Sequence, residues 1–183
     1  MRTTEQLSRD HQTILRSLNI LKFAAASWQK YEPGAAEDCR ALLEFLQIFA
    51  DRCHHGKEER VLFPSLAKAG IPVDGGPIGV MLHEHDEGRM LVRGMQQALD
   101  GVKPSDFALY AARYIELLEA HIMKEDNILF PRAEDFLTFE DDEALLRRFE
   151  EIENEMGPET HEKFDELLYT LASKYIVKPA RAS

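Results

Sequence analysis

The chain has 183 residues and a net charge of −11, with 44% hydrophobic and 30% charged residues. Length and composition predict a single soluble domain over residues 1–183, long enough to bury a sizeable core. The acidic balance argues against partners that need a basic face, nucleic acid and anionic membrane surfaces alike.

Helix is the dominant signal along the chain. Leu7, Ile14, Leu15, Leu18 and Leu21 recur at spacings of three and four and define a first helix, with His11 inside the stripe. Glu32-Pro33-Gly34 should stop it. A second helix starts near Ala36, carries Leu42, Leu43, Phe45, Leu46, Ile48 and Phe49, and should kink or end at Pro64. AGIPVDGGPIG (69–79) reads as a loop. A third helix is predicted from about Ile78 to Leu99, stopped by Asp100-Gly101. Pro104-Ser105-Asp106 opens a fourth, with Phe107, Leu109, Tyr110, Tyr114, Leu117 and Leu118 on it, and Pro131 ends or bends it. Asp141 to Tyr175 reads as one or two more helices, interrupted at Met156-Gly157-Pro158. This tail is expected across the bundle or in a homodimer contact.

No stretch alternates with period two, so the fold class is all-α. Short connections favour an up-down antiparallel four-helix bundle over about residues 5–135, with a C-terminal helical extension over about 140–177. No apolar run follows Arg2, and Cys39 and Cys53 lie fourteen residues apart with no Cys-x-x-Cys pair. A cytoplasmic, reducing setting is expected.

One phrase occurs twice. HHGKEERVLFP (54–64) aligns without gaps with HIMKEDNILFP (121–131), six of eleven positions being identical. A repeat made only for packing would keep the apolar residues. This one also keeps His54/His121, Lys57/Lys124 and Glu58/Glu125. On a helix, i and i+4 share a face, so each His-x-x-x-Glu pair presents an imidazole and a carboxylate to one point. His55/Glu59 has the same spacing, and only the alignment to His121/Glu125 prefers His54/Glu58. The repeat extends backwards to Asp10-His11 and Glu84-His85, which lie 43 and 36 residues before His54 and His121.

His11, His54, Glu58, His85, His121 and Glu125 thus form a set of four imidazoles and two carboxylates. Mixed nitrogen and oxygen donors suit a pair of first-row ions, iron or manganese, better than structural zinc. Two six-coordinate ions have roughly twelve positions. Two bridging carboxylates, four imidazoles and a bridging hydroxide or oxide leave about two of them open. Dioxygen, peroxide or nitric oxide could bind there.

The pattern His…HxxxE…His…HxxxE, each HxxxE followed by Leu-Phe-Pro, resembles the hemerythrin-like family of HHE cation-binding domains over about residues 5–135. The resemblance implies a four-helix bundle with a non-haem di-iron centre. It also implies that these six residues are the iron ligands, with Glu58 and Glu125 bridging. Iron over manganese rests on it too. The function it implies is binding of dioxygen or a related small oxidant for sensing, storage or detoxification. Oxygen-carrying hemerythrins use five histidines, and an aspartate where this chain has Glu125, so a four-histidine set favours redox reactivity or sensing over reversible carriage. His83 is a candidate fifth histidine, but it lies about 200° around the helix from His85.

Outside the ligand set, Asp10, Glu84 and Arg89 are candidates to orient imidazoles. Tyr114, seven residues before His121, either lines a ligand pocket or packs. Cys53 is expected to be a buried, inert thiol. Lys57, Lys124, His161 and the acidic run FEEIENE (149–155) are expected to face solvent. Two other readings are a helical protein-interaction module using the acidic tail, and an enzyme that decomposes peroxide or handles iron.

Overall fold

The computed structural model describes residues 1–157 and 159–176, which are helical without strands. The first bundle helix is α1 (Arg2–Gln29), ending a few residues before the expected stop. The second is continuous from Ala35 to Lys68. It begins as α2 (Ala35–Phe45), widens into π-helix at Leu46–His55 and again at Glu58–Leu62, and finishes as α3 (Phe63–Lys68). The third is α4 (Pro77–Asp100). The fourth runs as α5 (Pro104–Lys124), a π turn at Glu125–Leu129, and α6 (Phe130–Phe136). The tail forms α7 (Phe139–Met156) and α8 (Thr160–Tyr175). Gly157, with φ of 87°, follows α7. Pro158 of the expected break and residue 177 of the expected extension lie outside the described residues.

The prolines of the repeat therefore bend neither helix to a stop. Each repeated phrase makes a π turn from its glutamate to its leucine and then runs into its Phe-Pro pair. A proline lacks the N–H that would bond four residues back, and its ring crowds that carbonyl. In a π turn the N–H donates five residues back instead. The ladder changes register at this point and the helix continues.

α1 and α5 run in opposite directions, as do α4 and α5. Trp28 near the end of α1 stacks edge-on against Phe107 near the start of α5, while His11 meets Glu125 at the other end. In the same way His85 meets His121, and Gly94 lies against Tyr110 further along α4 and α5. A Cβ on Gly94 would sit 2.7 Å from that ring, so glycine permits this approach. α2 packs on α1 and α4, and α5 on α1 and α4.

Two apolar clusters fill the interior. One gathers Ile14, Leu18, Trp28, Phe45, Leu91, Leu99, Phe107, Tyr114 and Leu118. The other gathers Leu7, Leu62, Phe63, Met81, Phe130, Phe149 and Ile152. His11 falls between Leu7 and Ile14, and His85 between Met81 and Leu91, so a polar layer lies between two dry ones. Leu109, on the fourth helix as expected, is 62% exposed.

The tail packs on the bundle. α8 lies on α1 and α2, and α7 on α1 and the π segments of the second helix. Phe149 and Ile152 of the acidic run are buried, with Glu150, Glu151 and Glu155 outside. α7 also serves α1. Asp142, 3% exposed, accepts from the backbone N–H of Arg2 and Thr3 and from the Thr3 hydroxyl. It caps a helix that has no side-chain cap of its own. Asp142→Ala should cost about 1–2 kcal/mol, read as a lower denaturant midpoint. An unchanged midpoint would show that the cap carries nothing.

No helix among the described residues is long and apolar enough to cross a membrane. Cys39 and Cys53 are both free and buried.

Candidate metal centre

All six residues singled out by the repeat meet in the polar layer. His11, Glu58 and Glu125 are fully buried, and His54, His85 and His121 are 1% exposed. The Glu58 carboxylate lies 3.5 Å from Nε2 of His54 and 3.4 Å from Nε2 of His85. Oε2 of Glu125 lies 3.2 Å from Nε2 of His11 and 3.3 Å from Nε2 of His121. The donors form two groups, His11/His54/Glu58/Glu125 and His55/Glu58/His85/His121, each compact enough to surround one cation. Glu58 belongs to both. Glu125 touches one histidine from each.

His55 is the addition. Its spacing to Glu59 made it an alternative to His54, yet the structure brings both rings inside. In α-helix, consecutive residues point about 100° apart. The π stretch Leu46–His55 puts more residues in each turn, which narrows that angle and lets neighbours share a face. The repeat conceals this, because the position matching His55 is Ile122, on a stretch of regular α-helix. Glu59 faces away from the centre. His83 is exposed, so it is not a fifth imidazole.

Each of the five rings turns its Nε2 inward and its Nδ1 to a carboxylate. His11 pairs with Asp126 at 2.9 Å, His54 with Asp10 at 3.4 Å, and His55 with Asp51 at 3.4 Å. His85 pairs with Glu59 at 2.7 Å and His121 with Glu84 at 2.9 Å. Such a partner holds the proton on Nδ1 and leaves the Nε2 lone pair for a cation. Asp10 and Glu84 orient imidazoles as expected, but across the bundle: Asp10, next to His11, serves His54, and Glu84, next to His85, serves His121. The acid after each repeated glutamate completes the pattern, Asp126 for His11 and Glu59 for His85.

The lysines of the repeat form the next layer, which corrects the expectation that they face solvent. Lys57 is fully buried, 3.0 Å from Asp10 and 2.6 Å from Glu153 of α7. Lys124 is half-buried and donates to Glu84, the equivalent acid. Arg89 acts one step further out than expected, donating to Asp51 and Glu59 and so bracing the partners of His55 and His85. Its guanidinium helps hold Asp51 down to about 2, against burial, which alone would raise it.

The donor atoms fit a cation, and six of them lack another partner. Nε2 of His11 and His55 and all four carboxylate oxygens of Glu58 and Glu125 are shut from solvent without a hydrogen bond. Buried polar atoms are normally satisfied, so this concentration needs a reason. Burial, then the adjacent Glu125 carboxylate, pushes Glu58 well above the usual range. Burial acts the same way on Glu125, but the His121 and His11 rings outweigh it and hold that carboxylate down. Burial also lowers His54 to about 4. Against burial, their carboxylate partners raise His11, and His121 to about 9. A cation at the centre would therefore relieve the carboxylate crowding, use the neutral His54 as it stands and displace protons from the other two rings.

Next to the centre is a pocket of about 160 Å³ lined by Asp51, His55, Gly88, Arg89, Val92, Arg93 and Tyr114. Tyr114 is therefore both a packed core residue and a pocket wall. His161, expected in solvent, is half-buried with its ring edge-on to Phe49.

A helical core of inward imidazole nitrogens and carboxylate oxygens, dry above and below, defines a cation-binding helical protein. The hemerythrin HHE cation binding domain matches residues 2–133, and the chain belongs to that family. It is similar to proteins named iron-sulfur cluster repair protein YtfE. That of Dickeya chrysanthemi is 40% identical over 88 residues, 44% of this chain and 40% of the relative. That of an Enterobacter strain is 31% identical over 135 residues, 68% of this chain and 61% of the relative. An uncharacterized protein of Mycobacterium bovis is 26% identical over 156 residues, 82% of this chain and 60% of the relative. The chain thus spans less than two thirds of each of these relatives.

Proposed function

We propose that the chain is a non-haem di-iron protein that binds dioxygen or a related small oxidant, peroxide or nitric oxide, within an up-down antiparallel bundle. His11, His54, Glu58 and Glu125 would hold one ion, and His55, His85, His121 and Glu58 the other, with Glu58 and Glu125 shared. The observation that carries this reading is the set of buried donor atoms without partners, behind which every Nδ1 has its own carboxylate. A pair of irons would supply two adjacent one-electron changes, which suits these oxidants; the preference for iron over manganese rests on the family and on the relatives' name. The protein's part is to keep five imidazoles in one tautomer, brace their acids with Lys57, Lys124 and Arg89, and exclude bulk water. The pocket beside His55 and Tyr114 is large enough for a diatomic or peroxide.

His55 changes one inference. With it the donor set has five imidazoles, the number used by oxygen-carrying hemerythrins, so the histidine count no longer sets oxygen carriage aside, while Glu125 in place of an aspartate still separates this chain from them. His55→Ala should lower metal content and affinity by 10-fold or more, on the order of what second-layer losses already cost. His83→Ala should leave both unchanged. Equal behaviour of the two variants, by elemental analysis after dialysis, would remove His55 from the set.

The test of the main reading is metal per chain after anaerobic purification, with absorption spectra before and after air. About two irons, with a near-ultraviolet change on exposure, is the expected result. No metal, or metal with no spectral response, would overturn it. Repair of iron–sulfur clusters, the role in the relatives' name, is a second reading supported by that similarity; iron handed to a cluster-free acceptor would favour it. The interaction-module reading has less support, because the apolar face of α7 is already used on the bundle.

A further inference from the structure

A second set of donors lies outside the polar layer, on three different elements. Cys53 of the second bundle helix, Glu153 of α7 and His161 of α8 each bring one ligand atom within 4.8 Å of the other two. Cys53 is 1% exposed. Nε2 of His161 is closed off from solvent and has no hydrogen bond. It is the one such orphan away from the candidate di-iron residues among the described residues. Oε1 of Glu153 accepts from Lys57 and Gln6, which leaves Oε2 as the oxygen available to a further partner.

We propose that Cys53, Glu153 and His161 form a separate site for a divalent, thiophilic cation, zinc foremost, that fastens α7 and α8 to the second bundle helix. Sulfur, nitrogen and oxygen donors together are a zinc set, with tetrahedral donor separations of roughly 3.3–3.8 Å. A contraction of about 1 Å would close the present arrangement onto an ion, leaving the fourth position to water. As the sulfur–metal bond forms, the Cys53 thiol proton leaves to solvent. A packing thiol alone would explain Cys53 but not a His161 nitrogen shut from solvent without a hydrogen bond. Cys39 supplies the contrast: it is equally buried, but it lies within the apolar cluster and has no such companions among the described residues. Lys57 stays on Oε1 of Glu153, so the carboxylate serves the cation through one oxygen and the Asp10 layer through the other. Because Cys53 immediately precedes His54, the cation would also fix the backbone that carries one core imidazole.

The probe is cobalt(II), titrated into the purified full-length protein. A thiolate bonded to cobalt gives a charge-transfer absorption that nitrogen and oxygen donors do not, so the polar layer, which has no sulfur, cannot mimic it. The expected result is a band saturating at about one cobalt per chain and abolished by added zinc. It should be absent in Cys53→Ala, more than about 100-fold weaker in His161→Ala, and retained in Cys39→Ala. No band in the unaltered protein would overturn the proposal. So would a band with unchanged affinity in His161→Ala, or one lost with Cys39. Retained helical content in His161→Ala separates loss of the site from loss of the fold. A protein that took no iron would still give this readout.

Discussion

Glu125→Ala and Glu58→Ala are each expected to strip the protein of most of its iron, and His121→Ala to lose more than half. Glu58 belongs to both donor groups, and Glu125 sits 3.2 and 3.3 Å from imidazoles in each. Removing either carboxylate therefore withdraws negative charge from both positions at once. The sign should reverse without metal. In the metal-free protein the Glu58 carboxylate is buried against Glu125, so its neutral form is favoured. Glu58→Gln should then fold as stably as the unaltered chain, or more stably by about 1–2 kcal/mol, since folding no longer has to keep a carboxyl neutral at pH 7. Iron content by elemental analysis, and denaturant midpoints with and without a chelator, check both halves. Full iron content in both alanine variants would sink the assignment.

Lys57→Met is expected to cost about 3 kcal/mol. The methionine keeps the apolar stem but removes the ammonium from beside the Phe149 ring and leaves Asp10 and Glu153 facing each other without a cation. Breaking a buried ion pair from one side costs about 3–5 kcal/mol. The low end applies because the Glu153 side chain is 29% exposed and that of Asp10 13%. For a chain of this size that lowers Tm by about 6–12 °C. Asp10 holds Nδ1 of His54, so metal affinity should also fall about 10–100-fold. Lys124→Met, at a site 32% exposed, should cost about 1 kcal/mol or less. Equal losses from the two lysines would show that burial by α7 does not set the difference.

These two expectations separate what was local in the sequence from what was not. The helices, their order and the all-α class follow from spacings of three and four and from Gly and Pro punctuation. Such spacings act over a few residues and survive any packing arrangement. The repeat carried more, because it selected His54/Glu58 and His121/Glu125 jointly and led back to His11 and His85. All six meet in one buried layer. Asp10 and Glu84 were also visible as candidate orienting acids, though not that each serves the histidine of another helix.

The remainder needed three dimensions. The i,i+4 argument assumes the α-helical step, so it forced a choice between His54 and His55. The π stretch changes that step, and no sequence period announced it. The Leu-Phe-Pro ending read as a stop because proline breaks an α ladder; a ladder already shifted to i+5 carries through it. Lys57 read as solvated because it falls off the ligand face, yet its second partner, Glu153, arrives from α7, 96 residues later. His161 was misplaced for the same reason. Sequence by itself determined which elements form and which six residues are candidates for the metal chemistry, since both are set by local spacing and an internal repeat. Only the tertiary structure decided which neighbours face inward and which charges are buried, because burial depends on segments that meet only after the chain has folded.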